Sequence, residues 1–484
     1  MAATDLCDLG LDDLARRIES RQVSSSEAVE AALEKLDKLN PQLNAFITVA
    51  HAQARQAARR ADEELSRGVY RGPLHGVPVS VKDLFFTAGL RSTGGSRILA
   101  DWVPDEDSAV VERLKAAGAV ILGKTNLDEF GHGGTSTVSH FGPVHNPWNL
   151  ARIAGGSSGG STAAVVAGIG PLSYGTETGS SVRRPSSYCG VSGFKPTFGV
   201  VSRYGSFRGA WSMDHVGVFA RSVEDVAIGL DAVAGYDARD PASVQQSEPA
   251  YAKRLKPDSR GVRIGVLRRF LEQGVEPPVL SAFELAIQTL KDAGAEVVDI
   301  DIPELRYAAV TSMLTSAAES AANNIRWIRE RPDEYQVETK RRLAGGLGIT
   351  ASEFLTVQRA RYRIREAVRA GFETIDLLAN PTTNRVAPLL SLGPRGNGDQ
   401  TYSLGYTHSS LLRFPSMLGL PGCSIPCGAG EHELPIGMQL VGRWFDDQRV
   451  LNVAFAYQHA TPWAARKPRF NSDSAFGNSV QRSA

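Results

Sequence analysis

A lysine and two serines can cleave an acyl bond without a histidine base, and three runs of this chain hold those residues in glycine-rich settings. They are Gly76-Val77-Pro78-Val79-Ser80-Val81-Lys82-Asp83, Gly155-Gly156-Ser157-Ser158-Gly159-Gly160-Ser161 and Gly175-Thr176-Glu177-Thr178-Gly179-Ser180-Ser181-Val182-Arg183. A serine hydroxyl is a weak nucleophile and needs a positioned base. Lysine serves only when neutral, so a lysine in this role must be buried, where lost solvation lowers its pKa by up to several units. A second serine can relay the proton from the nucleophile to the lysine and help return it to the leaving amine. Backbone N–H groups of the last run, Thr178, Gly179, Ser180 and Ser181, are placed to form an oxyanion hole, where one donor is worth about 2.7–4 kcal/mol of transition-state stabilisation.

The elements around these runs alternate between strand and helix. Ser24 and Glu27 form a capping-box pattern, and Val29, Ala32, Leu33, Leu36 and Leu39 then recur at helical spacing until Asn40-Pro41, where the helix is expected to stop. Strands are expected at Val77 to Val81, Ala119 to Leu122, Val262 to Leu267, Glu296 to Ile300, Ile375 to Ala379, Cys423 to Pro426 and Ile436 to Val441. Helices are expected at Ser108 to Ala117, Val279 to Ala293 and Asp447 to Gln458, with an almost wholly helical stretch over 305–372. The fold class is therefore α/β, a large central mixed sheet covered by helices on both faces. No linker composition divides the chain, so 1–470 reads as one domain: a helical N-terminal region over 8–68, a catalytic core over 72–240, and the helical 305–372 near the substrate entrance. Residues 471–484, rich in Ser, Asn and Arg, read as a frayed tail.

Bulk properties narrow the function. Among 484 residues, 53 Lys and Arg nearly cancel 52 Asp and Glu, which leaves no broad electrostatic footprint for nucleic acid or an anionic membrane. Cys7, Cys189, Cys423 and Cys427 are too few and scattered for a disulfide framework, so a reducing compartment is expected. With neither a signal-peptide pattern nor an apolar run of spanning length, the chain reads as soluble and cytoplasmic.

Other motifs compete with the main signal. Gly118-Ala119-Val120-Ile121-Leu122-Gly123-Lys124-Thr125 satisfies the phosphate-loop pattern, yet its apolar middle reads as a strand rather than a flexible anion cradle. Gly155-Gly156-Ser157-Ser158-Gly159 fits the nucleophile elbow of α/β-hydrolases, which would need a downstream acid and histidine; His215, His408, His432 and His459 are available without distinctive contexts. Arg359, Arg361, Arg363, Arg365 and Arg369 alternate around a helix and read as a solvated, ion-paired face. His140 with His145, and Cys423 with Cys427, lack a second pair, so no metal and no cofactor is expected.

The combination resembles the amidase signature family, serine hydrolases with a Ser–cis-Ser–Lys triad. The resemblance runs from Asn40-Pro41-Gln42-Leu43-Asn44-Ala45-Phe46, through the glycine-serine runs and Leu122-Gly123-Lys124-Thr125-Asn126, to Leu420-Pro421-Gly422-Cys423-Ser424-Ile425-Pro426 and Leu434-Pro435-Ile436-Gly437-Met438-Gln439-Leu440. It implies Lys82 as base, Ser157 as the serine after a cis bond, and Ser181 as nucleophile. Where many family members have Asp-Thr-Gly-Gly-Ser, this chain has Glu177-Thr178-Gly179-Ser180-Ser181. The Cβ of Ser180 narrows backbone freedom relative to glycine, so an altered oxyanion-hole geometry is expected.

One branch of the family is the glutamine-hydrolysing component of the tRNA-dependent amidotransferase, in which an arginine and an aspartate hold the charged groups of glutamine. Arg361 matches the arginine, but the aspartate position falls at Ser410, and a site for an ammonium group would lose its counter-charge. The main expectation is therefore a hydrolase of small aryl or alkyl amides or of carbamates (urethanes), with the amidotransferase component as the alternative. The partner is a small-molecule amide or carbamate, without nucleic acid or membrane, and a homodimer is the assembly this reading allows. Phe130, Gly131, Gly156, Phe207, Trp211, Arg361 and Phe414 are the candidate substrate-binding residues, with Leu412 and Met417 further candidates for an apolar lining. A reading from another class, a silent partner-binding scaffold, predicts no labelling by serine-directed reagents.

Overall fold

A computed structural model describes residues 6–246, 249–393 and 407–470; the tail expected at 471–484 lies outside them. The strands are β1 (Phe46–Val49), β2 (Pro78–Lys82), β3 (Val120–Thr125), β4 (His145–Asn146), β5 (Asn149–Ile153), β6 (Leu172–Glu177), β7 (Ser192–Lys195), β8 (His215–Ala220), β9 (Arg263–Val266), β10 (Glu296–Asp299), β11 (Leu377–Pro381), β12 (Gly422–Ala429) and β13 (Pro435–Gly442). All except the β4–β5 pair join one 11-stranded sheet in the order β1-β3-β2-β6-β8-β7-β12-β13-β11-β9-β10. The sheet is mixed: β2 runs parallel to β3 and β6, and β9 parallel to β10 and β11, whereas β8 is antiparallel to β6 and β7.

Alternation along the strands separates two apolar layers, because successive side chains of a strand point to opposite faces. In β3, Val120 and Leu122 join a core with Val29, Leu33, Leu36 and Ala163, while Ile121 joins the larger core on the other face. In β2, Val79 and Val81 enter that larger core, which leaves Ser80 and Lys82 on the opposite face. Since β2 and β6 are parallel neighbours, their C-terminal ends, Lys82 and Glu177, emerge at the same end of the sheet. Loops beyond the carboxyl ends of parallel strands are where open α/β sheets place their sites.

Two local expectations change. The first long helix spans Ser25–Leu43 and passes through Pro41, ending at Asn44 in the left-handed conformation. Proline removes a single backbone donor within the last turn, and the Asn44 N–H still reaches the Asn40 carbonyl at 2.8 Å. The phosphate-loop pattern is strand from Val120 to Thr125. The Lys124 Nζ there is buried, donating to the Phe85 carbonyl and to Ser92 Oγ at 2.7 Å beside Asp83 at 3.5 Å, so it is held as a structural cation. The four cysteines are buried free thiols. No helix among the described residues is long and apolar enough to cross a membrane.

Candidate active site

Lys82 closes β2, and its side chain is fully buried. Its Nζ donates to Ser157 Oγ at 2.8 Å and to Thr176 Oγ1 at 2.9 Å. Burial lowers the Lys82 pKa to about 7, against the opposing pull of Asp128, Asp214 and Glu177. A substantial neutral fraction therefore exists near neutral pH, which is what a lysine base requires.

Ser157 follows a cis peptide bond from Gly156. Glycine is required at 156 by close approach: a Cβ there would lie 2.3 Å from Asp128 Oδ2 and 2.6 and 2.7 Å from the amide nitrogens of Ser136 and Thr135. Asp128 organises that wall, its carboxylate accepting from the backbone N–H groups of Thr135, Ser136, Thr137 and Val138 at 2.9–3.1 Å. Gly156→Ala is expected to cost about 1–3 kcal/mol through overpacking and to displace Ser157. Urea unfolding reads the first effect, and loss of hydrolytic activity at a urea concentration where the variant remains folded reads the second.

Beyond β6, the Thr178–Val182 loop turns back on a buried ion pair. Glu177 Oε2 accepts from the N–H groups of Val182 and Arg183 at 2.9 and 3.1 Å, and Oε1 takes the Arg183 Nε and Nη2 at 2.9 and 2.6 Å. Burial pushes the Glu177 carboxyl up, but Arg183 and Lys195 outweigh it and hold the group below the usual carboxylate range. Ser180 and Ser181 are buried in this loop, and among the described residues the N–H groups of Gly179, Ser180 and Ser181 donate to no protein acceptor. Donors without a protein acceptor in a fixed loop can receive a developing oxyanion. Neither Gly179 nor Ser180 is among the residues with positive φ. The backbone here thus does not demand glycine at 180, and the expected distortion by the Ser180 Cβ has no backbone signature.

The residues expected to bind substrate divide. Gly131 lies beside the relay position, a Cβ on it falling 3.6 Å from Ser157 Oγ. Phe130 and Phe207 meet edge-on at 5.8 Å, and Phe130 stacks on Trp327 at 5.3 Å, forming an aromatic wall next to Gly131. Phe414 is a correction: it is fully buried in the larger core, as is Met417, and Leu412 is buried beside them, so these side chains fill the interior. Trp211 is 57% exposed, and it is its carbonyl that is held, by Arg203. Arg361 donates to the Met417 carbonyl at 2.8 Å and to Ser212 Oγ and O at 2.8 and 2.9 Å, clamping two segments together.

Sequence reasoning missed several neighbours. Asp214 accepts from Thr178 Oγ1 at 2.5 Å and from the Ala210 N–H at 2.9 Å, and burial raises its pKa to about 6. His132 Nε2 is buried with no hydrogen-bond partner among the described residues, and burial, with Arg342 and Lys82 adding to it, drives its pKa to about 3, so the imidazole is neutral. His132, Thr178 and Asp214 each approach within 3.6 Å of the point a Cβ on Gly209 would occupy. His215 turns its Nδ1 to the Met213 carbonyl at 2.6 Å and His408 its Nε2 to the Pro381 carbonyl at 2.9 Å, which accounts for both without catalysis. No group of metal-binding side chains occurs among the described residues.

A mixed sheet with a buried lysine, a serine after a cis bond and a glycine-serine loop at one end defines a hydrolase class without histidine. The chain belongs to the amidase signature family, and the Amidase family model matches residues 27–451. The A subunit of glutamyl-tRNA(Gln) amidotransferase from Synechococcus sp. (strain JA-2-3B'a(2-13)) is 40% identical over 479 residues, covering 94% of this chain and 92% of that one. Among solved structures, the peptide amidase from Stenotrophomonas maltophilia superposes with a TM-score of 0.84 at 30% identity, covering 96% of this chain and 99% of that one. A chain from a vestigial protein complex, described as revealing the evolutionary origins of an s-triazine catabolic enzyme, gives 0.87 at 34% identity, covering 93% and 98%.

Proposed function

We propose that this chain hydrolyses amide C–N bonds through an acyl-enzyme on Ser181, with Ser157 as relay and Lys82 as base. The observation that carries the reading is Lys82 Nζ, sealed from solvent and 2.8 Å from Ser157 Oγ, beside a loop whose N–H donors have no protein acceptor. Ser181 Oγ attacks the carbonyl carbon as its proton passes through Ser157 to neutral Lys82, and the loop N–H groups hold the oxyanion. Collapse breaks the C–N bond while the proton returns through Ser157 to the leaving nitrogen; water then repeats the sequence on the acyl-enzyme. Among the described residues Ser157 and Ser181 share no hydrogen bond, so the relay closes as substrate binds, as catalytic contacts commonly do.

For the substrate, the names of the curated relatives support the glutamine-hydrolysing component of an amidotransferase more than the small-molecule hydrolase that the sequence favours. In that role the chain would act beside a protein partner. Two side chains support the free-standing reading. Ser410 is fully buried, accepting from the Ala309 N–H at 3.3 Å and sealed from any substrate ammonium, while Arg361 is engaged by Met417 and Ser212. The deciding assay measures ammonia released from glutamine and 4-nitroaniline released from an acyl anilide and its matching carbamate. Turnover of at least one is expected, falling about 10³-fold or more in Ser181→Ala. Turnover of glutamine alone selects the amidotransferase reading, and the anilide-to-carbamate ratio separates amidase from urethanase. Substantial activity in Ser181→Ala reassigns the nucleophile.

A further inference from the structure

Arg413 projects from the His408–Leu418 helix onto the nucleophile loop: its Nη1 lies 2.8 Å, and its Cζ 3.6 Å, from the point that a Cβ on Gly179 would occupy. That helix is docked against the loop by Arg183, whose Nη2 donates to the Leu412 carbonyl at 2.8 Å and to Ser416 Oγ at 3.1 Å. Arg413 lies between those two anchors and is half-buried, so its guanidinium combines a fixed base with partial access to solvent. Lys82 and Ser157 reach the site from β2 and from the Gly155–Ser158 run, whereas Arg413 reaches it from the opposite partner of the loop.

We propose that Arg413 is a specificity-determining residue that binds a carboxylate on the acyl portion of the substrate, so that the preferred substrates are monoamides of dicarboxylic acids. This rests on the amide-hydrolase reading above. An arginine fork matches a carboxylate with two parallel charge-assisted hydrogen bonds, and in a partly desolvated position the pair is stronger than in bulk water. The proton relay occupies the Lys82 side, where the leaving nitrogen must collect its proton, so a cation across the loop from it is suited to the acyl end. The lack of a side chain at Gly179 is part of the device, since any Cβ there would collide with the guanidinium.

The test compares glutaramate with butyramide, its neutral analogue of similar length, by ammonia release in wild type, Arg413→Gln and Arg413→Lys. Wild type is expected to favour glutaramate by about tenfold or more in kcat/KM, with the preference shrinking as salt screens the charge. Arg413→Gln should cost glutaramate about tenfold more than butyramide, mostly through KM, and Arg413→Lys should retain part of the preference. Arg413→Glu should turn it toward 4-aminobutyramide. Equal turnover of glutaramate and butyramide by wild type, which needs no variant to fold, overturns the inference alone. Equal losses on both substrates, carried by kcat, also overturn it and make Arg413 a support of the oxyanion loop. No serine-dependent turnover of these amides, glutamine, the anilide or the carbamate overturns the reaction itself and this inference with it.

Discussion

Lys82→Met is expected to lower kcat/KM by about 10⁴-fold, the upper range for loss of a positioned general base, and to remove a pH dependence that wild type shows near neutrality. With the lysine pKa lowered to about 7 by burial, the wild-type rate should rise with pH through a midpoint near 7 and level off above it. The same group shapes stability. Its folded pKa lies below the unfolded value near 10.4, so between about pH 7 and pH 10 the unfolded chain binds more protons than the native one. Stability from this group is therefore fully present above the unfolded pKa and is lost as pH falls through 7, with a slope approaching about 1.4 kcal/mol per pH unit inside that window. Lys82→Met should lack this slope and be the more stable protein below pH 7, where wild type must carry a buried ammonium. A wild-type rate that stays flat from pH 6 to 8 would remove Lys82 from the role of base.

How far the sequence reached depends on whether an interaction is local. Lys82, Ser157 and Ser181 each sit inside a run whose glycines and serines announce a tight turn, so the candidate triad was visible one run at a time. The strands from 262 to 300 and from 375 to 441 were legible because their apolar runs end at glycine, proline or acidic residues, and the structure has a strand at each of them. Asp128 and Thr176 were invisible as site residues because their importance is made by distant partners: Asp128 acts through the backbone of residues 135 to 138 and the approach of Gly156. Arg413 was passed over as one arginine among many until the fold set it against Gly179. Phe414 failed in the other direction. A helix with apolar residues on several sides does not reveal which of them faces a cleft, and here Phe414 faces the core.

Glu177→Gln and Arg183→Met, made singly, are each expected to destabilise the protein by about 3–5 kcal/mol in urea unfolding, because each leaves one charge buried without its counterpart. Both side chains are fully buried and 2.6 Å apart. The pair is also a hinge between three elements: Arg183 reaches Gln439 on β13 at 2.5 Å and Leu412 and Ser416 on the next helix, while Ser416 Oγ donates to Glu177 Oε1 at 2.5 Å. Replacing both residues, Glu177→Gln with Arg183→Met, removes the orphaned charge and should recover much of the stability lost by either alone, a coupling that a double-mutant cycle reads directly. Activity should not recover with it. The Glu177 carboxylate is what grips the N–H groups of Val182 and Arg183 and so fixes the path of the Gly179–Ser181 donors. A neutral amide at 177 has one acceptor oxygen where the carboxylate has two, so a stable double variant is expected to remain at least about 10²-fold below wild type, in keeping with the loss of oxyanion donors. If the double variant regained both stability and turnover, the ion pair would be only a packing element; if the single variants cost less than about 1 kcal/mol, the loop would have to be held by the surrounding sheet instead.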